Sequence, residues 1–391
     1  MIIKSVKKLH RFVGRTVILR TDFNVPIIKG KIQDDYRIRA GLDTIKYLSE
    51  RGAKVVVISH LGDPQGCSVD LLSLRPVALR LRRLLGSPVN FCSDTIGLKA
   101  QAAIKRLPAG GVLLLENLRF YPGEYKNEKK FARDLAELGD IYINDAFSVS
   151  HRRQASVDVI KSYLPAYAGL LLEKEVRALA KILKPKKPMI VILGGAKIST
   201  KAPLINRLYK NSHKILIGGG LANNFFQQAG QEIGKSLVDK DSGSVIHRLL
   251  KNRDLASKLV LPVDVVVKRR GQARAIKPNQ VRVNDCILDV GPNTINLFSS
   301  YIKSAKTILW NGPLGKFEEK SFQFGTLAVG SLVAARSSGL AYGVVGGGET
   351  VSALALTGLS EYVDWVSTGG GASLSYIGGE VMPGLKEIIK N

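Results

Sequence analysis

The chain has 391 residues, 45% of them hydrophobic and 23% charged, with a formal net charge of +26. This length and composition exclude a single small domain and predict two packed, soluble domains. Three scattered cysteines, Cys67, Cys92 and Cys286, exclude a disulfide scaffold and fit a reducing compartment. No apolar run has membrane-helix length, and the opening MIIKSVKKLHRF lacks a leader pattern, so a cytoplasmic location is expected. The basic excess is spread along the chain, +14 over residues 1–184 and +12 over the remainder. Such a surface attracts anionic metabolites or nucleic acid, or is simply solvated. The clusters Lys186-Lys187 and Lys268-Arg269-Arg270 have no interleaved aromatics and so offer no stacking platform.

The first half alternates strands and helices. Strands are expected at Thr16 to Leu19, Val55 to Ser59, Val112 to Leu115 and Ile141 to Ile143, and helices at Ile38 to Leu48, Leu74 to Leu85 and Phe131 to Leu138. This order predicts a parallel sheet with helical crossovers. Polar residues follow the strands directly: Asp22, Asn24, Arg37, His60, Arg119, His151 and Arg152. Ligands of open α/β sheets sit at those carboxyl ends. Arginines gathered there suit a carboxylate or phosphate, because guanidinium donors form a planar fork. Taken singly, each residue reads equally well as a surface ion pair or a satisfied loop residue.

Tyr163 to Leu183 is the next unit: Pro165 can begin a helix, and a helical pattern runs over Leu170 to Ile182 until Lys184-Pro185-Lys186-Lys187-Pro188 stops it. It is expected to bridge the two domains, or to cover a sheet. The segment MIVILGGAKISTK, Met189 to Lys201, is a buried strand, a glycine turn and two lysines. A helix starting near Ile198 would place Lys197 and Lys201 a turn apart at its N-terminus, where unpaired N–H groups and the helix dipole favour anions. An ordinary βα turn with two solvated lysines reads the same residues. Further strands are expected at Lys214 to Ile217, Leu259 to Val267, Ile287 to Val290, Thr307 to Trp310, Ala341 to Val345 and Val363 to Ser367, several of them ending in glycine turns. Repeated glycine turns let an extended ligand lie against backbone.

The segments RTDFNVPIIKGKIQDDYRIRA, VVVISHLGDPQG, LLLENLRFYPGEYKNE, GDIYINDAFSVSHRRQAS, ILGGAKIST, LIGGGLANNFF, WNGPLGKFE, VVGGGET and STGGGASL occur in that order. Over essentially its whole length the chain resembles the phosphoglycerate kinase family. The resemblance implies two Rossmann-like, three-layer αβα parallel-sheet domains: 1–164 for 3-phosphoglycerate, 165–184 as a helical hinge, 185–377 for the nucleotide, and 378–391 as a tail returning to the first domain. It implies reversible phosphoryl transfer between 1,3-bisphosphoglycerate and ADP, with Mg2+, by a monomer that closes about its hinge. Asp22, Asn24, Arg37, His60, Leu61, Gly62, Asp63, Arg119 and Arg152 would contact the glycerate substrate. Lys197, Lys201, Gly219, Gly220, Asn311, Glu318, Gly347, Gly348, Glu349 and Thr350 would contact the nucleotide, with Glu349 on the metal. Arg37, Lys197, Gly370 and Gly371 would stabilise the migrating phosphoryl group.

Two positions depart from the family pattern. Asp63 stands where SHLGRP has arginine, which is expected to weaken glycerate binding, and Glu349 stands where GGGDT has aspartate, which lengthens the metal-facing arm. Two competing readings are a nicotinamide dehydrogenase, which lacks its G-x-G-x-x-G turn and ribose acid, and a weakened homologue that binds nucleic acid or another polyanion through its basic surface.

Overall fold

A computed structural model describes residues 1–240 and 242–390. The last residue of the expected tail, Asn391, lies outside the described residues. The chain divides into two compact units. One comprises Met1–Val176 with the stretch from Val381 onward, the other Arg177–Glu380. The division falls within the helix Leu170–Leu183.

The first unit is built on six parallel strands, β1 (Thr16–Arg20), β2 (Lys54–Ile58), β3 (Val89–Phe91), β4 (Val112–Leu114), β5 (Ile141–Asn144) and β6 (Ala166–Ala168), in the spatial order β3-β4-β2-β1-β5-β6. Strand alternation explains the layering. Val17, Leu19, Val55 and Val57 enter one core cluster with Ile45, Leu48, Val77 and Leu81 of two helices. Ile18, Val56 and Ile58 enter the opposite cluster with Ala100, Ile104, Ala132 and Leu135 of two others. Each such aliphatic side chain contributes about 1.5–3 kcal/mol on full burial, so a sheet covered on both faces is strongly preferred over one exposed face. The chain returns here at its far end: Ile389–Lys390 pairs antiparallel with Ile2–Ile3, and Asn144 Nδ2 donates to Gly384 O at 3.0 Å.

The second unit repeats the plan with β7 (Met189–Leu193), β8 (Lys214–Ile217), β9 (Leu259–Val260), β10 (Thr307–Asn311), β11 (Tyr342–Gly346) and β12 (Trp365–Val366), ordered β9-β8-β7-β10-β11-β12. The fold is therefore two Rossmann-like α/β units. A separate three-stranded antiparallel sheet joins Val265–Arg269, Gln272–Ile276 and Cys286–Val290.

Four local expectations change. The helix expected at Ile38 to Leu48 is two, Tyr36–Ala40 and Leu42–Ser49, broken at Gly41, where a Cβ would stand 3.1 Å from Phe23 Cε1. Residues after Pro165 form β6, and the long helix starts only at Leu170, where the buried Asp145 accepts the N–H groups of Leu171 and Leu172 at 2.9 and 3.0 Å. The apolar stretch Leu259 to Val267 belongs to two sheets. Pro262 interrupts it, and Asp264 turns aside to accept the N–H groups of Asn293 and Thr294 at the start of helix Pro292–Ser304. The helix expected near Ile198 begins at Ala202. Pro203 lacks an N–H and fits only a first turn, so it holds the start back.

Candidate active site

In both sheets the chain winds first to one side of the starting strand and then to the other. The reversal lies between β1 and β5 in the first unit and between β7 and β10 in the second. The crevice at the carboxyl ends of such neighbouring strands is where α/β sheets hold ligands.

In the first crevice Asp22 is the centre. Arg37 Nη1 donates to its Oδ2 at 2.7 Å, Asn24 N to its Oδ1 at 3.0 Å, and Ser148, beyond β5, donates its hydroxyl from the other side of the reversal. Burial opposes ionisation of Asp22, but nearby His60 and Arg37, the Ser148 hydroxyl and the Asn24 N–H outweigh it and hold the carboxyl at about 2. His60 is buried, with Nε2 3.9 Å from Asp22 Oδ1 and Nδ1 3.2 Å from Arg20 Nη2. A guanidinium only donates, so Nδ1 accepts and the ring proton sits on Nε2. Burial lowers the imidazole pKa well below its ordinary value. Asp22 resists that shift, while Arg20, Arg119 and Arg37 add to it. His60 is thus neutral at neutral pH and presents one N–H donor.

A buried framework holds this arrangement. Arg20 Nε donates to Ser156 Oγ at 2.9 Å, and Ser156 donates to Glu124 at 2.7 Å. Gly62 N donates to Asn24 Oδ1 at 2.9 Å, and Arg119 Nη1 donates to Gly62 O at 2.6 Å. Leu61 N donates to Asn117 Oδ1 at 3.2 Å. Arg119 is almost wholly buried; its burial and the like charges of Arg152 and Arg20 depress its pKa. Arg152 is exposed. Asp63 lies at the rim with its side chain 59% exposed, 3.9 Å from Arg119, and accepts from Tyr125 Oη and Gln65 Nε2 at 2.7 Å each. The structure therefore gathers Asp22, Asn24, Arg37, His60, Leu61, Gly62 and Arg119. It adds Arg20, Ser148 and Ser156, which the sequence reading passed over. Arg20 completes an otherwise apolar strand, and a cation in the last strand position was the available signal.

The second crevice is built from backbone. Gly194 N donates to Asn311 O and Gly195 N to Pro313 O, at 3.0 and 2.9 Å. A Cβ on Gly194 would meet Pro313 O at 2.0 Å, so only glycine permits this approach. Beside it lies a cavity of about 370 Å³, lined by Gly195, Gly219, Gly220, Leu314, Glu318 and Glu349 among others. Three helices start at its strand ends, Gly219–Gln228, Gly348–Leu356 and Gly371–Gly378, the last preceded by Gly370 at φ +51°. Their first N–H groups have no helical partner and carry partial positive charge.

Lys201 is buried and donates to Asn311 Oδ1 across the reversal, while Asn311 Nδ2 donates to Gly346 O at 2.8 Å. Burial lowers the Lys201 ammonium to about 8, against the opposing pull of Glu349. Gly312 N donates to the buried Thr350 hydroxyl at 2.7 Å. Because the helix begins late, Lys197 and Lys201 do not share a helix face: Lys197 is exposed and Lys201 is inside. Glu318, Gly348, Glu349 and Gly371 are exposed, whereas Asn311 and Thr350 are buried supports. Among the described residues no three His, Cys, Asp or Glu side chains cluster as a metal site, and no helix is long and apolar enough to cross a membrane.

A cation-lined crevice on one α/β unit and a glycine-lined crevice with helix N-termini on the other fit the class of phosphotransferases. Comparison with known proteins narrows the class. The family model of phosphoglycerate kinase matches residues 6–380. A phosphoglycerate kinase from Borreliella burgdorferi (strain ZS7) is 44% identical over 392 residues, covering 99% of each chain, and one from Moorella thermoacetica is 43% identical, covering 95% of each. Among solved structures, phosphoglycerate kinase from Coxiella burnetii has a TM-score of 0.85 at 36% identity, covering 99% of both chains. That from Pyrococcus horikoshii has 0.83 at 31%, covering 98% of this chain and 97% of its own. The chain belongs to the phosphoglycerate kinase family and is an ATP-dependent kinase of glycolysis.

Proposed function

We propose that the first crevice holds 3-phosphoglycerate or 1,3-bisphosphoglycerate, that the second holds ADP or ATP, and that the phosphoryl group passes between them. The observation that carries this reading is the paired chemistry of the two sheet reversals: arginine forks in one, glycine backbone and helix starts in the other. Arg37, Arg119 and Arg152 supply fixed positive charge for an anionic substrate, with Asn24, His60 and the Leu61–Asp63 turn as its polar frame. Asp22 holds Arg37 in place and stays ionised, so the pair remains formed at neutral pH. His60 donates through Nε2 and carries no charge to transfer.

Phosphoryl transfer spreads charge over three oxygens, and the protein's contribution is positioning and neutralisation rather than a nucleophile. Arg37, Lys197 and the helix start at Gly370 and Gly371 are proposed for that charge. Lys201, Gly219, Gly220, Asn311, Glu318, Gly347, Gly348, Glu349 and Thr350 are proposed to hold the nucleotide or its supporting turn. A single carboxylate suits Mg2+, which takes one or two protein carboxylates and completes its shell with phosphates and water. Glu349 would hold it, and when bound it neutralises phosphate charge. With one ligand on each unit, transfer in solution is proposed to need a hinge-bending step about the helix that spans the division. The active form is read as a cytoplasmic monomer, since one chain carries both crevices.

The direct test is ATP-dependent consumption of 3-phosphoglycerate in a coupled assay. Turnover that is lost in Arg37→Ala supports the reading, whereas an intact chain with no turnover overturns it. The metal assignment is tested separately by comparing Mg2+ and Mn2+ activity in wild type and Glu349→Asp; identical metal profiles remove Glu349 from the site.

A further inference from the structure

A second cavity opens on the opposite edge of the second sheet. It has a volume of about 820 Å³ and lies at the amino ends of β7, β10 and β11, where Lys187, Lys306 and Ala341 precede the strands. Five lysines line it: Lys181, Lys184, Lys186, Lys187 and Lys306. The catalytic crevice lies at the carboxyl ends of the same strands, one strand length away, roughly 16 Å.

The backbone of this cavity is tightly fixed while its charges are not. Thr307 Oγ1 donates to Lys186 O at 2.8 Å, Lys306 N to Pro188 O at 2.8 Å and Tyr342 N to Lys306 O at 2.9 Å. Among the described residues, no carboxylate pairs with any of the five ammonium groups. The one acid in the lining, Asp364, accepts the Gly343 N–H at 2.8 Å. Lys181 instead lies over the Tyr342 ring, 4.4 Å from its centre. Elsewhere in the chain basic side chains do find acids, as in Arg80–Asp35, Arg269–Asp285 and Lys316–Glu319. Five ammonium groups face one concavity with the Asp364 carboxylate as the one acid in its lining, so positive charge is in excess, and an anion entering the space relieves the mutual repulsion of the lysines.

We propose that this lysine-lined cavity is a second anion site, separate from the catalytic crevice, for a compact molecule carrying several phosphate groups. Ammonium groups are point charges that accept phosphate oxygens from many directions, unlike the planar arginine fork of the first unit. The only aromatic side chain in the lining, Tyr342, is already faced by Lys181, so no free ring is offered for base stacking. That chemistry favours a small polyphosphate over a nucleic-acid strand. The inference does not depend on which substrates fill the catalytic crevices.

The test uses the full chain with ADP and 3-phosphoglycerate at saturating levels and inorganic tripolyphosphate titrated by calorimetry. Lys186→Glu/Lys187→Glu is compared with Arg82→Glu/Arg83→Glu, an exposed pair on the first unit that changes net charge equally. The milder Lys186→Gln/Lys187→Gln guards against misfolding, which circular dichroism also monitors. The expected result is saturable binding weakened by about tenfold or more in the Lys186/Lys187 variants and by less than about twofold in the Arg82/Arg83 control. Equal weakening in both pairs would reduce the effect to bulk charge and overturn the site. So would absent binding in wild type, or tighter binding of a single-stranded RNA with the same variant sensitivity.

Discussion

The two crevices each lie at a sheet reversal but are built from different materials. The first uses side chains: Arg37 is pinned by Asp22, His60 is set by Arg20, and Arg119 is fixed to Gly62 O. The second uses main chain: Gly194 and Gly195 bond directly to the β10 end, and helix starts supply N–H groups. Among the described residues its one buried cation, Lys201, bridges the reversal through Asn311. Side-chain cations can be removed singly, with graded losses. A backbone crevice tolerates no added atom at its closest approach, so its failures should be structural.

That contrast can be broken experimentally, beginning with the largest effect. Arg37→Ala should lower kcat by about a thousandfold, the scale of removing one preorganised charge from a transition state, with an unchanged melting temperature. A loss confined to KM would reduce Arg37 to a binding group. Gly194→Ala should destabilise the second unit by roughly 2–3 kcal/mol, because the methyl would overlap Pro313 O, and should abolish nucleotide binding as measured by calorimetry. Native-like melting and affinity would mean the backbone approach is dispensable.

A pH series sharpens the comparison. The Lys201 ammonium is charged below about 8 and neutral above it. Nucleotide affinity should therefore fall as pH rises through 8, and Lys201→Arg, which stays charged, should flatten that fall. A flat wild-type profile would show that Lys201 does not face the phosphates.

The smallest effect belongs to Asp63. Asp63→Asn should lower KM for 3-phosphoglycerate about two- to threefold, since its carboxylate is largely exposed and screened, and Asp63→Arg should lower it further. An unchanged or higher KM in both variants would assign Asp63 only to fixing the rim through Tyr125 and Gln65.

Much of this was legible in the residues. Strand–helix alternation located β1, β2, β4, β5, β7, β8, β10 and β11 within a residue or two, because both faces of a parallel sheet are buried and their strands read as apolar runs. Polar residues after those strands pointed to both crevices. β3 and β6 were not legible: both are only partly buried, and Val89–Phe91 is broken by Asn90 while Ala166–Ala168 sets two small alanines around Tyr167, so neither shows the fully buried aliphatic run of β4. The antiparallel sheet was hidden because Cys286–Val290, apart from the buried Asp289, is as apolar as a parallel strand. Spacing alone allowed a helix from near Ile198 with Lys197 and Lys201 a turn apart at its N-terminus; the helix starts late, at Ala202 ahead of Pro203, with Lys197 exposed and Lys201 buried.

By itself the sequence determined the family, the alternating α/β plan and the chemical type of nearly every crevice residue, since these follow from local pattern and residue identity. Only the tertiary structure decided the sheet order, which makes β1–β5 and β7–β10 the reversals. The same packing made His60 neutral, buried Lys201 and left five lysines facing one cavity. Those properties depend on which distant segments exclude water or bring charge within a few ångströms, and strand pairing across more than a hundred residues fixes them.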